Sequence, residues 1–131
     1  MDWVTKQIAI GNYLDAKNAS PAEVDAILCL RPDCCDEDSD DFDMLCVPLS
    51  DGAGNNQRLF AEAIAFLDDV VSRGDKILVH CHAGRSRSVC IVARYLMLKQ
   101  NISSQQALEK IALKREIYLS PGIEEILKLT L

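Results

Sequence analysis

Cys81 and Arg87 stand with five residues between them in the segment Cys-His-Ala-Gly-Arg-Ser-Arg. This segment follows a short apolar run, Lys76–His80, and precedes a longer one that begins at Ser88. A strand, a tight loop and a buried helix in that order place the loop at the carboxyl end of a strand, where open α/β sheets bind ligands. The unpaired N–H groups at the start of the helix favour an anion. Gly84 permits a turn in which several loop amides point inward. Arg87 adds a planar fork able to hold two oxygens of one phosphate. The same positive field favours the thiolate of Cys81 near neutral pH. A nucleophile at the bottom of a phosphate-shaped cradle is suited to covalent phosphoryl transfer.

The elements around this loop are legible as alternating strands and helices. Gln7–Ile10 and Tyr13–Leu14 read as short strands about a Gly-Asn turn, and Ser20-Pro21 with Glu23 as a helix start. Ala26–Leu30, Met44–Leu49 and Lys76–His80 are short apolar runs suited to buried strands. Phe60, Ala63, Ile64, Leu67, Val70 and Val71 repeat with the period of one buried helical face, capped by Asn55 or Asn56 and ended at Gly74. Ser88–Gln100 is apolar nearly all round and predicts a helix buried in the domain. Ser103–Lys114 and Pro121–Leu131 read as two further helices. Together they predict one α/β domain over residues 1–131, with a central, mostly parallel five-stranded sheet flanked by helices.

The loop His80–Ser88, HCHAGRSRS, resembles the H-C-x-x-G-x-x-R-S/T loop of the cysteine-based protein tyrosine phosphatase superfamily. Its Gly-x-Ser-Arg-Ser ending is similar to the dual-specificity branch. Ile-x-Ile-Gly-Asn near the N-terminus, the AILCL run, VPLSD and Leu119-Ser120-Pro121 also sit where small members of that family have counterparts, so the likeness covers most of the chain. It implies a protein phosphatase acting on phosphotyrosine and on phosphoserine or phosphothreonine, with Cys81 as nucleophile and Arg87 as phosphate ligand. The amides of His82, Ala83, Gly84, Arg85, Ser86 and Arg87 would hold the equatorial oxygens. Asp51, about 30 residues before the nucleophile on a Gly-flanked loop, would be the general acid and then the base; read alone, it is a turn aspartate before Gly52. By the same likeness Ser88 would hydrogen-bond the departing sulfur, and His80 would orient the loop through hydrogen bonds. No metal or organic cofactor is implied. His80 and His82 form a His-x-His pair, but they are the only two histidines, too few for a metal site of that kind. Because Cys81 must be ionised while Asp51 is protonated, a bell-shaped rate profile with an acidic optimum is expected.

Three other activities share parts of this pattern. Phosphoinositide and RNA 5′-phosphatases use the same loop type, and Arg85 is either a solvated charge or a second attraction for an anionic substrate. A non-catalytic phosphopeptide-binding module would carry a damaged nucleophile, arginine or acid, and all three are present. A rhodanese-like sulfur transferase would place fewer residues between cysteine and arginine.

The chain has 131 residues, 49% hydrophobic and 26% charged, ordinary for one globular domain. Its net charge of −6 argues against general nucleic-acid or anionic-membrane binding. Seven acids and no base fall in Asp33–Asp43, and outside it thirteen acids meet fourteen bases. That run reads as a solvated loop or a docking surface for a basic partner. It is no EF-hand, since the sixth position from Asp36 is not Gly and the twelfth is Val47. The N-terminus lacks a signal peptide's features, and no apolar stretch is long enough to cross a bilayer. The expectation is a cytoplasmic monomer with reduced thiols, acting on phosphoproteins. Of the six cysteines, Cys46 and Cys90 lie in apolar runs and are expected in the core. Cys29, near the end of its strand, is expected at the same rim as Cys81. Since some members of the family protect an oxidised nucleophile by a disulfide with a cysteine in that region, Cys29–Cys81 is the redox pair expected here, ahead of Cys34 and Cys35.

Overall fold

The structure, a computed structural model, describes residues 1–32 and 41–128. Its elements run β1 (Asp2–Trp3), β2 (Ile8–Gly11), α1 (Tyr13–Lys17), β3 (Ala26–Cys29), β4 (Asp43–Cys46), α2 (Gln57–Ser72), β5 (Ile77–His80), α3 (Arg87–Gln100), α4 (Ser104–Ala112) and a 3₁₀ turn over Ile123–Lys128. The strands form one five-stranded sheet in the order β1-β2-β5-β3-β4. Only β1 is antiparallel to its neighbour. The expected α/β architecture is present.

The three inner strands read IAIG, ILVH and AILC and are buried along their whole length, as strands covered on both faces must be. Alternation divides their side chains. Ile8, Ile10, Leu28, Ile77 and Val79 join the larger core with α2 and α3. Ala9, Ile27 and Leu78 join a smaller one with Val24 and the partly buried Trp3, Phe42 and Met44. In α2 Phe60, Ala63, Ile64, Leu67 and Val70 of the expected stripe form the buried face, Val71 packs against it only partly buried, and Asn56 supplies the cap by accepting from the Arg58 N–H at 2.9 Å. Every residue of α3 from Arg87 to Leu96 is buried. Ser103 caps α4 through a reciprocal pair with Gln106. Among the described residues, no helix is long and apolar enough to cross a membrane.

Local hydrogen bonding overturns several boundaries. Gly11-Asn12 starts a helix rather than a hairpin, because Asn12 accepts from the Asp15 N–H while the Asp15 carboxylate accepts from the Asn12 N–H, both at 2.9 Å. The fifth strand is therefore Asp2–Trp3, not Tyr13–Leu14. Ser20 accepts from the Ala22 N–H at 3.2 Å, but the segment is only a turn, since Val24 is already in the core and β3 begins at Ala26. Of the last expected helix, the described residues form a 3₁₀ helix over Ile123–Lys128, and 129–131 lie outside the described residues. Cys46 is exposed at the end of the edge strand β4, whereas Cys90 is buried as expected. Of the acidic run only Asp41–Asp43 is described, together with the ion pair of Asp43 with Arg73 at 2.9 Å; its other residues, including Cys34 and Cys35, lie outside the described residues.

Candidate active site

β5 delivers Cys81 to the carboxyl edge of the sheet, where the thiol is free and 2% exposed. The loop then turns through Gly84 at φ +70°, and a Cβ there would come within 2.5 Å of the Gly11 carbonyl oxygen. Both the left-handed backbone and the close approach of β2 require glycine. The back of the loop is held by the rest of the chain. Tyr13 donates its N–H to the His82 carbonyl at 3.2 Å. Arg115 donates from Nη1 to the Ile10 carbonyl at 2.6 Å and pairs with Asp2 at 3.2 Å, while its Nη2 reaches the Ala83 carbonyl at 3.4 Å.

Ser86 is the N-cap of α3, yet its side chain makes no capping bond. Its hydroxyl donates instead to Asp51 Oδ1 at 2.6 Å. The first-turn amides of α3 are thus left without a side-chain cap, at the positive end of the helix dipole and beside Cys81. Ser88 Oγ lies 3.2 Å from Cys81 Sγ. Arg87 is anchored by Nη1, which donates to the carbonyls of Leu49 at 3.0 Å and Leu30 at 3.3 Å. Its buried Nε–H has no hydrogen-bond partner among the described residues, leaving one donor edge for an anion. Asp51, Cys81, Arg85, Ser86, Arg87 and Ser120 share one cleft of ≈ 440 Å³. The structure therefore brings together the predicted nucleophile, arginine, acid and sulfur partner.

His82 also lines this cleft. Its ring stacks on Tyr13, with centroids 5.0 Å apart and planes at 8°, and the Arg31 guanidinium lies 5.0 Å from the Tyr13 centroid. Tyr118, 68% exposed, lines the cleft as well, and its N–H donates to the Arg85 carbonyl at 2.9 Å. The Arg85 side chain is exposed and reaches Glu116 at 3.8 Å.

His80 lies buried just before the nucleophile. It is 3% exposed, and burial lowers its pKa from 6.5 to about 4, with the Arg31 and Arg87 charges acting in the same direction. Neither ring nitrogen makes a hydrogen bond of ordinary geometry among the described residues, although the Cys81 backbone lies close enough to favour the charged ring slightly.

Cys29 is not brought to Cys81. It pairs in register with His80 on one side and Cys46 on the other, and strand alternation turns it to the face opposite Leu28, Leu30 and Cys81. Cys29 is disulfide-bonded while Cys81 is a free thiol, so the expected pair is not joined in this structure. Arg115 and Ser120 were not expected at the site. Arg115 stands in no motif that separates it from an ordinary surface cation. Ser120 was visible only as part of the Leu-Ser-Pro segment.

The dual specificity phosphatase catalytic-domain model matches residues 5–129. Human dual specificity protein phosphatase 9 is 40% identical over 80 residues, which is 60% of this chain and 21% of that protein. Dual specificity protein phosphatase 1 of Arabidopsis thaliana is 39% identical over 79 residues, 60% of this chain and 40% of the relative. The matched stretch thus spans less than half the length of either relative. Among solved structures, the human tyrosine phosphatase-like serine/threonine/tyrosine-interacting protein superposes with a TM-score of 0.87 at 25% identity, covering 98% of this chain and 93% of the other. DUSP15 superposes with a TM-score of 0.86 at 27% identity, covering 96% and 83%. With a cysteine, an arginine and a carboxylate converging on one anion cradle, and a family match across nearly the whole sequence, this chain belongs to the dual specificity phosphatase catalytic-domain family.

Proposed function

We propose that this domain hydrolyses phosphate monoesters on tyrosine, serine and threonine side chains of proteins through a phosphocysteine intermediate. The observation that carries this reading is the approach of Asp51 to the phosphate loop: Ser86 donates to its carboxylate at 2.6 Å, in the cleft that the free, nearly buried Cys81 also lines. A cradle with a nucleophile but no acid would bind phosphate; one with both can expel an alcohol or phenol.

The Cys81 thiolate attacks phosphorus in line, and the bond to the leaving oxygen breaks as Asp51 protonates it. Arg87 and the amides of His82, Ala83, Gly84, Arg85, Ser86 and Arg87 take up the charge on the three equatorial oxygens. In the second step Asp51 accepts a proton from water, which attacks the phosphocysteine. Ser88 donates to the departing sulfur, consistent with its 3.2 Å separation from Sγ. No cofactor enters either step. His80, buried next to Cys81 in sequence, takes no part in either step.

A domain that works as a cytoplasmic monomer on phosphoproteins, without nucleic-acid or membrane partners, fits this reading. The phosphoinositide and RNA alternatives lean on Arg85, whose charge is partly met by Glu116 at 3.8 Å. Replacing Cys81 by Ser is expected to abolish release of phosphate from phosphotyrosine and phosphothreonine peptides while leaving peptide binding intact. Undiminished turnover by Cys81→Ser would overturn the proposal.

A further inference from the structure

Asp51 is held from two directions. Ser86 Oγ, on the phosphate loop, donates to Oδ1 at 2.6 Å, and Ser120 Oγ, from the segment after α4, donates to Oδ2 at 2.6 Å. The two serines are themselves joined, since the Ser120 N–H donates to Ser86 Oγ at 3.0 Å. The Asp51 loop meets the same distal segment at two more points. The Gly54 N–H donates to Glu125 Oε1 at 2.8 Å, and Gly122 packs so closely on Ala53 that a Cβ would lie 2.6 Å from the Ala53 nitrogen. Asn55 ties the loop internally, accepting from the Ser50 N–H at 2.7 Å and donating to the Ser50 carbonyl at 2.8 Å.

We infer that Ser120 is a positioning residue for the general acid, and that the Asp51–Ser86–Ser120 triangle directs the acid's proton to Oδ2. The inference rests on the reading of Asp51 given above. Ser86 is only 6% exposed, and among the described residues its hydroxyl donates to Asp51 Oδ1 alone. A proton on Oδ1 would leave that buried hydroxyl without its acceptor, which is unfavourable. Ser120 is half-buried, so its hydroxyl can turn to accept from Oδ2 and give its own proton to water. The acid therefore has one preferred proton-bearing oxygen, fixed before substrate arrives by a serine 69 residues away in sequence.

The test is Ser120→Ala, assayed by kcat/KM on phenyl phosphate, whose leaving group needs a proton, and on para-nitrophenyl phosphate, whose leaving group needs one much less. A roughly tenfold loss on phenyl phosphate against roughly twofold on the nitrophenyl ester is expected, because only proton donation is impaired. The ratio of the two rates does not depend on the fraction of protein folded. Ser120→Thr should restore the ratio, and Ser120→Ala should cost nothing further in an Asp51→Asn background. Equal losses on both esters, or additive losses with Asp51→Asn, would overturn the inference. Asp51→Asn alone separates the two levels of argument. If it shows no dependence on the leaving group, the role of Asp51 fails; if it does and Ser120→Ala does not, only the role of Ser120 fails.

Discussion

His80 precedes the nucleophile and is buried without being charged. Its folded-state pKa is about 4 against 6.5 when exposed, burial being the main cause. Between those values the unfolded chain binds a proton that the folded chain does not. Stability therefore falls as pH drops through that window and is regained as it rises. The whole shift corresponds to roughly 3 kcal/mol, and the part between pH 7 and pH 5 to about 2 kcal/mol. In urea melts, His80→Asn should lose about that part of the stability difference between pH 7 and pH 5. An unchanged difference would show that His80 is charged, or solvated, in the folded protein. Asp51 and Ser120 make the complementary point: a side chain's chemistry is set by neighbours far from it in sequence. Most of the site residues that were legible lie in one loop, His80–Ser88, where the spacing of Cys81, Gly84 and Arg87 carries the chemistry; Asp51 was legible through the family likeness. Arg115 and Ser120 were not legible, because their bonds span 105 residues to Ile10 and 69 to Asp51.

At the scale of elements, the loop depends on the end of β2 as much as on β5 and α3. Gly11 and Gly84 meet backbone to backbone, and Gly84 adopts φ +70°. Gly84→Ala must either move β2 away or reshape the loop, and the left-handed backbone adds about 1–2 kcal/mol of strain. The expected outcome is at least a tenfold fall in kcat/KM for aryl phosphates, with a lowered melting temperature. Wild-type kinetics in this variant would mean that the loop does not need the contact. The helices α2 and α4 were legible in the sequence because their apolar residues repeat on one face and their caps are local, and α3 because it is a long run that is apolar nearly all round. The shorter pieces were not. Asn12 read as a turn residue until its reciprocal bonds with Asp15 made it a cap, and Ser20-Pro21 carries a helix-start signal that β3 leaves no room to extend. Cys29 failed for a related reason: proximity of strand ends was foreseeable, but the face on which a side chain emerges follows from register.

For the whole molecule, the parallel sheet gathers the ends of β5 and β3, the loop after β4 and the start of α3 at one edge, and the cleft lies there. The net charge of −6 does not describe that edge. Arg85 and Arg87 line the cleft together with Asp51, while Arg115 reaches the Ala83 carbonyl and is paired with Asp2. An anion entering the cleft meets the guanidinium groups of Arg85 and Arg87 even though the chain as a whole is acidic. Architecture and family were legible because alternating strands and helices and the loop motif each have a distinct signature, and each agrees with the other. The account's central claim is that phosphate passes through Cys81. It is tested most directly by rapid acid quench of Ser88→Ala with a radiolabelled phosphotyrosine peptide, since loss of the hydroxyl 3.2 Å from sulfur should slow breakdown of the intermediate. The account predicts a stoichiometric burst of label that maps to the peptide containing Cys81. Turnover without labelled protein, or label on any other residue, would contradict it.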